Sequence, residues 1–186
     1  MRPQPVLVIP RGLRHHVAKL GFDRVVELTA GEGAELAGLP VAATSARHDA
    51  RRHPLGQRTE AVGYLLGETG RQVYFAGDTD AFPEMAALAE HLDAALLPVW
   101  GWGPTLGAGH LDPRGAAAAL RLLRPRLAVP IHWGTLFPIG LDRLRGKGGL
   151  LSDPPHEFAR EAARLAPQVE IRVLQPGEAT PLPGRR

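Results

Sequence analysis

The sequence contains no cysteine, and lysine is nearly absent among its basic residues. Its 186 residues include 22 Lys and Arg, and all of these except Lys19 and Lys147 are arginine. The absence of cysteine excludes disulfide bonds, thiolate nucleophiles and cysteine-ligated zinc. Any metal site formed by this chain must therefore use the side chains of His, Asp and Glu.

Long hydrophobic runs and several familiar motifs are also missing. No segment approaches the ~18 apolar residues of a membrane helix, so we expect no membrane span. The apolar stretch at residues 6–9 is too short for a secretory signal, which favours a cytoplasmic location. The patterns of a nucleophile-elbow serine and of a P-loop do not occur. A dinucleotide fingerprint starting at Gly101 fails at Leu106, where glycine is required.

The positive charge is small and dispersed along the chain. The formal net charge is +3, with a sequence pI near 9.9. Proteins that bind nucleic acids usually concentrate arginine and lysine on one face. Here the only dense pairs are Arg51 with Arg52 and Arg185 with Arg186. The charge pattern therefore argues against a nucleic-acid partner.

Turn residues divide the chain into short elements, since it holds 22 Gly and 18 Pro. Apolar runs predict strands at residues 6–9, 24–28, 39–44, 61–66, 72–76, 94–99, 127–131 and 169–174. Helices are predicted at residues 12–20, 83–91, 113–123 and 154–165. Asp112 and Pro113 suit the N-cap and first position of the third helix. We expect one layered α/β domain over residues 1–180, with 181–186 as a tail.

Polar residues that could bind a metal follow three of the predicted strands. His48 follows the strand at 39–44, Asp78 the strand at 72–76, and His132 the strand at 127–131. Ligand sites in α/β sheets tend to lie at the carboxyl ends of strands. Two imidazoles and one carboxylate suit Zn²⁺, Fe²⁺ or Mn²⁺. The alternative for each residue is an ordinary loop or core position.

Three further residues are candidates for contact with a substrate. His110 lies just before the predicted helix at 113–123, where the helix dipole favours anions. It could contact a phosphate or donate a proton, or it could simply lead into the helix. Trp100 and Trp102 flank Gly101 in a glycine-rich segment. They could form the wall of a substrate pocket or cap the core.

Several segments together resemble one known family of enzymes. The runs VYFAGDTD (73–80), GHLDP (109–113) and PIHWGT (130–135) are similar to those of the metallo-β-lactamase-fold hydrolases. The branch they resemble contains the ascorbate-6-phosphate lactonase and the phospholipase D that acts on N-acyl phosphatidylethanolamines. The runs TSARH (44–48) and LQPGE (174–178) are similar to that branch's third metal motif and final strand and turn. The resemblance implies an αββα sandwich.

The resemblance also implies roles for individual residues. His48 would complete a first metal site, Asp78 would bridge two metals, and His132 would be the last ligand of the second site. His110 would lie near the substrate without binding metal. Asp78 and His110 are thus the expected catalytic residues. The metal, zinc first and manganese or iron as alternatives, would lower the pKa of its water toward ~7, and the hydroxide would attack an ester, lactone or phosphodiester.

One departure from that family is large. Its His-x-His-x-Asp-His signature does not occur in this chain, so we expect an N-terminally incomplete form of the fold. Three ligands would remain, and three protein ligands and a water suffice for a catalytic zinc. An uncovered apolar face would favour a homo-oligomer or a partner. The alternatives are a catalytically impaired remnant that acts as a binding or partner-dependent protein, and a nucleic-acid processing enzyme of the same fold.

Overall fold

The computed structural model describes residues 5–48, 59–88, 90, 92–100, 107, 109–135 and 149–184. The strands are Val6–Pro10 (β1), Arg24–Leu28 (β2), Gly33–Leu36 (β3), Leu39–Ser45 (β4), Val62–Leu66 (β5), Gln72–Phe75 (β6), Leu92–Pro98 (β7), Leu127–Ile131 (β8) and Glu170–Ile171 (β9). The α-helices are Arg14–Val17 (α1), Pro113–Leu123 (α2), Gly149–Ser152 (α3) and Pro154–Leu165 (α4). Two 3₁₀ helices span Ala18–Leu20 and Pro83–Leu88.

The strands form one large mixed sheet and one small sheet. Strands β3 to β9 are hydrogen-bonded in sequence order, and β1 pairs only with β2 within the described part of the chain. Neighbouring strands are antiparallel from β3 to β6 and parallel from β6 to β9. The parallel half needs crossover connections, which here include the helices α2 and α4. The mixed α/β architecture predicted from the sequence is confirmed.

Helices α2 and α4 cover one face of the parallel half. Helix α2 begins where predicted, because the Asp112 carboxylate accepts a hydrogen bond from the Gly115 N–H at 2.6 Å. Its apolar stripe includes Leu120, which is fully buried, and α4 contributes Phe158, also fully buried. These side chains pack with Tyr74 of β6 in the main core cluster. This core fixes the strands whose ends carry the candidate ligands.

The opposite face of the large sheet has two smaller apolar clusters. Leu28 of β2 packs with Val41 and Val62 of β4 and β5. Farther along, Val129 of β8 packs with Leu182 near the C-terminus. The small sheet and the C-terminal segment thus cover parts of this face, while Phe75 on β6 stays 38% exposed.

A partly buried ion pair joins the end of the sheet away from the candidate ligands to the C-terminal segment. The Arg126 guanidinium lies 3.2 Å from the carboxylate of Asp93, which is 6% exposed. The same carboxylate accepts the Gln72 N–H at 3.0 Å, and Arg126 also donates to the carbonyls of Pro183 and Gly184. Residues 181–184 of the predicted tail therefore lie against the sheet, and residues 185–186 lie outside the described residues.

Several element predictions were wrong in extent. Strand β3 was not predicted, although Gly33 pairs with Ala42 of β4. The helix predicted at 12–20 is the short α1 followed by a 3₁₀ turn, and the one predicted at 83–91 is a 3₁₀ helix that ends at Leu88. The strand predicted at 169–174 is only β9. No helix within the described ranges has the length and apolar content needed to cross a bilayer.

Candidate metal centre

The predicted ligands lie at one edge of the large sheet. Strands β4 and β6 run in the same direction, because both are antiparallel to β5. Strands β6 and β8 are both parallel to β7. The ends of β4, β6 and β8 therefore lie at the same edge of the sheet, and His48, Asp78 and His132 each follow one of these ends.

Hydrogen bonds join the segment that carries His48 to the segment that carries Asp78. The Asp80 N–H donates to the Arg47 carbonyl at 2.9 Å, and the Arg47 N–H donates to Thr79 Oγ1 at 2.9 Å. The Thr79 side chain is fully buried, and its hydroxyl donates to the Asp80 carbonyl at 2.8 Å. The Thr79 hydroxyl thus both accepts and donates a hydrogen bond. These bonds set the spacing between His48 and Asp78.

Asp78 is placed by a sharp turn after β6. Gly77 has φ of +64°, and a Cβ added there would lie 3.1 Å from the carbonyl oxygen of Val62. Both the backbone angle and the limited space favour glycine. The turn brings the half-buried Asp78 side chain to the sheet edge.

His132 follows β8 in a left-handed backbone conformation, with φ of +60°. Such a conformation costs a non-glycine residue roughly 1–3 kcal/mol and is concentrated at functional sites. The His132 Nδ1–H donates to the Trp100 carbonyl at 2.5 Å, because a carbonyl oxygen can only accept. The other ring nitrogen, Nε2, lies 3.4 Å from Asp78 Oδ1. In a neutral imidazole, Nε2 carries a lone pair, so two acceptors face each other and need a proton or a cation between them.

His48 is oriented in the same way. Its Nδ1–H donates to the Gly109 carbonyl at 3.1 Å, which leaves the Nε2 lone pair free. Histidines that bind metals commonly donate their second ring N–H to a backbone carbonyl, which fixes the tautomer. His48 and His132 both have this arrangement, and it fits metal ligands better than solvated loop histidines.

His110 lies directly beside His48. The two ring centroids are 4.7 Å apart, and the rings meet edge to face. The His110 Nδ1 atom is buried and has no hydrogen-bond partner among the described residues. A buried polar atom without a partner is costly, and a bound cation or substrate would be one way to satisfy this ring.

One nitrogen or oxygen atom from each of His48, Asp78 and His110 lies within 4.8 Å of the other two. The ligands of a tetrahedral zinc are separated by about 3.4 Å, given bonds of about 2.1 Å. Shortening these separations by at most about 1.4 Å would therefore bring the three atoms into range of one cation. His132 lies outside this three-residue group but contacts it through Asp78. The donor set of imidazole and carboxylate fits a divalent transition metal or zinc.

The remaining predicted site residues are Trp100 and Trp102. The backbone carbonyl of Trp100 contacts the site by accepting from His132, and its indole Nε1 is buried without a partner among the described residues. Trp102 lies outside the described residues. The sequence interpretation missed the contribution of Thr79, which arises from its contact with the distant Arg47.

A buried tyrosine lies close to the site in sequence but does not supply a base. Burial raises the pKa of Tyr74 to about 12, while the nearby Thr44 hydroxyl acts in the opposite direction. The Tyr74 phenol is therefore neutral at ordinary pH, and proton transfer in the site falls to other groups.

We expect Thr79→Val to weaken zinc binding by about 10- to 100-fold, the range typical for residues that position metal ligands. Valine matches the shape of threonine but leaves the Arg47 N–H without its acceptor, so the spacing between His48 and Asp78 relaxes. Titration calorimetry with Zn²⁺ measures the effect. Thr79→Ser keeps the hydroxyl and should retain wild-type affinity. Equal affinities for the two variants would contradict a positioning role.

Comparison with known proteins shows the family to which the chain belongs. Residues 3–133 match the model of the beta-lactamase superfamily domain. A UPF0173 metal-dependent hydrolase from Methanopyrus kandleri is 33% identical over 164 residues, which is 86% of this chain and 64% of that protein. The chain spans 64%, 69% and 63% of the lengths of three curated relatives that it matches.

Solved structures show the same fold. A metallo hydrolase from the archaeon Ignicoccus hospitalis matches with a TM-score of 0.66 and 28% identity, over 93% of this chain and 66% of that one. The metallo-beta-lactamase fold protein YhfI from Bacillus subtilis matches with a TM-score of 0.62 and 12% identity, over 90% of this chain and 61% of that one. Because the family model also covers more than half of the sequence, this chain belongs to the beta-lactamase superfamily domain family and has the metallo-beta-lactamase fold.

Proposed function

We propose that this chain acts as a metal-dependent hydrolase that cleaves an ester, lactone or phosphodiester bond in a small molecule. The observation that carries the proposal is the approach of His132 Nε2 to Asp78 Oδ1, which lie 3.4 Å apart at the edge of the sheet. A second imidazole, that of His48, is oriented by a carbonyl at the same edge. The names of similar proteins, such as the metal-dependent hydrolase of Methanopyrus kandleri, support metal-dependent hydrolysis and leave the cleaved bond to this proposal.

The proposed cofactor is a divalent cation held by His48, Asp78 and His132. Zinc suits two neutral imidazoles and one carboxylate, and manganese or iron are the alternatives. When bound, such a cation acts as a Lewis acid and provides a water with a pKa near neutrality. The carboxylate of Asp78 neutralises part of the positive charge, which favours retention of the cation.

Side chains of this protein would orient the attacking water and the cation. Asp78 has two oxygens, so one can face the cation while the other accepts a hydrogen bond from the attacking water. His48 and His132 stay fixed because their Nδ1–H groups are held by backbone carbonyls. This rigidity keeps the reacting groups aligned and lowers the entropic part of the barrier.

We also propose which residues border the substrate and which surface mediates self-association. Trp100, Trp102 and His110 are proposed to border the substrate, and Trp100 is the one tied to the ligands through its backbone. Self-association is proposed on the sheet face around Phe75, which is 38% exposed next to half-buried Val73. The cytoplasmic location stays a prediction.

The test is hydrolysis by metal-stripped protein before and after addition of Zn²⁺ or Mn²⁺. A chromogenic phosphodiester, a carboxylic ester and a simple lactone serve as substrates, and light scattering on the same sample reports the oligomeric state. We expect turnover of at least one substrate that depends on the metal and is reversed by a chelator. Metal uptake without turnover would indicate the impaired remnant, and absence of both would rule out the proposed activity for this chain.

A further inference from the structure

A cavity of about 490 Å³ lies at the end of the large sheet away from the candidate metal centre. We infer that this cavity binds a free medium-chain fatty acid, with the hydrocarbon chain inside and the carboxylate at Arg71. The cavity borders the first residues of β4 and β6, whereas the candidate metal ligands follow the last residues of these strands. The inference therefore concerns a second site, separate from the one that carries the proposed hydrolysis.

The floor of the cavity is apolar. Leu66 of β5 and Val73 of β6 line it, and both belong to the apolar clusters on the sheet face opposite helices α2 and α4. Leu39 also lines the cavity, and it points to the same face as Val41, two residues further along β4. Leu39 is 46% exposed, so a hydrocarbon chain laid across this floor would remove apolar surface from water. The volume is within the range of about 300–1,000 Å³ that is typical of small-molecule sites.

The C-terminal segment forms one wall of the cavity. Leu182 lines the cavity, and two arginines hold the backbone on either side of this leucine. Arg172 donates to the Pro181 carbonyl at 2.8 Å, and Arg126 donates to the Pro183 carbonyl at 3.5 Å. Because the wall is already fixed by these bonds, a ligand would not have to order it, which reduces the entropic cost of binding.

Arg71 provides the positive charge at the mouth of the cavity. It lines the cavity, its side chain is exposed, and it takes part in none of the ion pairs formed by the described residues. Arg126 at the same end of the sheet is already paired with Asp93 at 3.2 Å. Arg71 is therefore the cation available to a ligand, and its planar guanidinium can bind both oxygens of a carboxylate.

Glu68, in the same turn as Arg71, acts against an anionic ligand. The Arg71 N–H donates to the Glu68 carbonyl at 2.8 Å, which fixes the turn, and the Glu68 side chain is exposed. Glu68 also borders a second cavity, of about 600 Å³, whereas Arg71 is not among the described residues that line that one. Glu68→Gln removes the repulsion, so it should tighten the binding of a carboxylate by a factor of about two to five.

The test is a calorimetric titration with decanoate, below the concentration at which it forms micelles. We expect saturable binding of a single decanoate per chain. Octanoate should bind about tenfold more weakly, because it buries two methylenes fewer. Decyltrimethylammonium keeps the hydrocarbon chain and reverses the charge of the head group, so it should bind about fivefold more weakly than decanoate.

Two variants distinguish the contact with the hydrocarbon chain from the contact with the carboxylate. Val73→Thr keeps the branched shape but places a hydroxyl on the floor, and it should weaken decanoate binding about tenfold. Val25→Thr, the same change at a half-buried valine of β2, is its matched control. Arg71→Gln should weaken decanoate binding about fivefold without weakening that of decyltrimethylammonium. Arg160→Gln, at an exposed arginine of α4, is the second control.

Each result either supports the inference or overturns it. Equal affinities for decanoate and decyltrimethylammonium would refute the role of Arg71. Equal decanoate affinities of Val73→Thr and Val25→Thr would show that the ligand does not occupy this cavity. If no amphiphile binds, and light scattering shows a dimer that Val73→Thr weakens, the face is a contact between two copies and the inference fails.

The same samples separate this inference from the proposed function. Arg71→Gln and Val73→Thr should take up Zn²⁺ and hydrolyse substrates like wild type, because both residues lie near the end of the sheet away from the candidate metal ligands. Metal-dependent hydrolysis without decanoate binding would refute the inference alone. Decanoate binding by a protein that takes up no metal would refute the proposed function alone.

Discussion

Replacing Asp78 with asparagine is expected to reduce Zn²⁺ affinity by more than about 100-fold, beyond the loss typical of residues that only position ligands, and to reduce hydrolysis to background. Asp78 is the one carboxylate among the three residues of the cluster, and it also faces Nε2 of His132. Asparagine keeps the shape of the side chain but removes the negative charge that compensates a dication. Titration calorimetry and the rate of metal-dependent hydrolysis measure the two effects.

Asp80→Asn is the matched control for this variant. Asp80 lies two residues away, and its side chain accepts the N–H of Ala81 at 2.7 Å, a bond that the amide oxygen of asparagine can also accept. We expect the control to bind Zn²⁺ like wild type. Wild-type affinity in Asp78→Asn would remove Asp78 from the metal site, and with it the central element of the proposed function.

Replacing Phe158 with alanine should have the largest effect on stability. Phe158 is fully buried and is the aromatic side chain through which α4 enters the main core. Truncation of a buried phenylalanine costs about 3–5 kcal/mol, from lost burial and from the cavity that remains. Native domains have only about 5–15 kcal/mol of stability, so the variant should lose a large part of it. Urea denaturation followed by circular dichroism measures the change.

Two companion variants test the cause. Phe158→Leu fills most of the same volume and should cost clearly less than alanine, about 1.5 kcal/mol or below. Arg160→Ala changes an exposed residue of the same helix and should stay within about 0.5 kcal/mol of wild type. A loss of less than about 1 kcal/mol in Phe158→Ala would show that α4 contributes little to the core.

Elements with strong local signals could be predicted from the sequence. Helix α2 has the predicted bounds, since Asp112 and Pro113 mark its start and apolar residues recur along one face. Strand β8 was also predicted with the right bounds because its run is apolar throughout. Strand β3 has four residues and includes Gly33 and Glu35, so its local signal is weak. It is a strand because β4 pairs with it, and pairing is not visible in a short polar segment.

In the candidate site too, some features could be predicted from the sequence and others could not. His48, Asp78 and His132 could be proposed because each follows an apolar run at a sheet edge. The backbone carbonyls of Gly109 and Trp100, which orient two of the imidazoles, leave no mark in the amino-acid sequence. The buried hydroxyl of Thr79 was missed for a related reason, since its importance comes from a contact with Arg47 on another strand end.

The residues around the candidate metal centre come from four separate segments, at positions 48, 78, 110 and 132. No single hairpin or helix pair of this chain contains them all, so the centre exists only after β4, β6 and β8 have assembled. A cation that binds only the assembled form stabilises it by mass action, with a gain that rises with the logarithm of the free metal concentration. A bound cation would then add directly to the free energy of unfolding of this polypeptide.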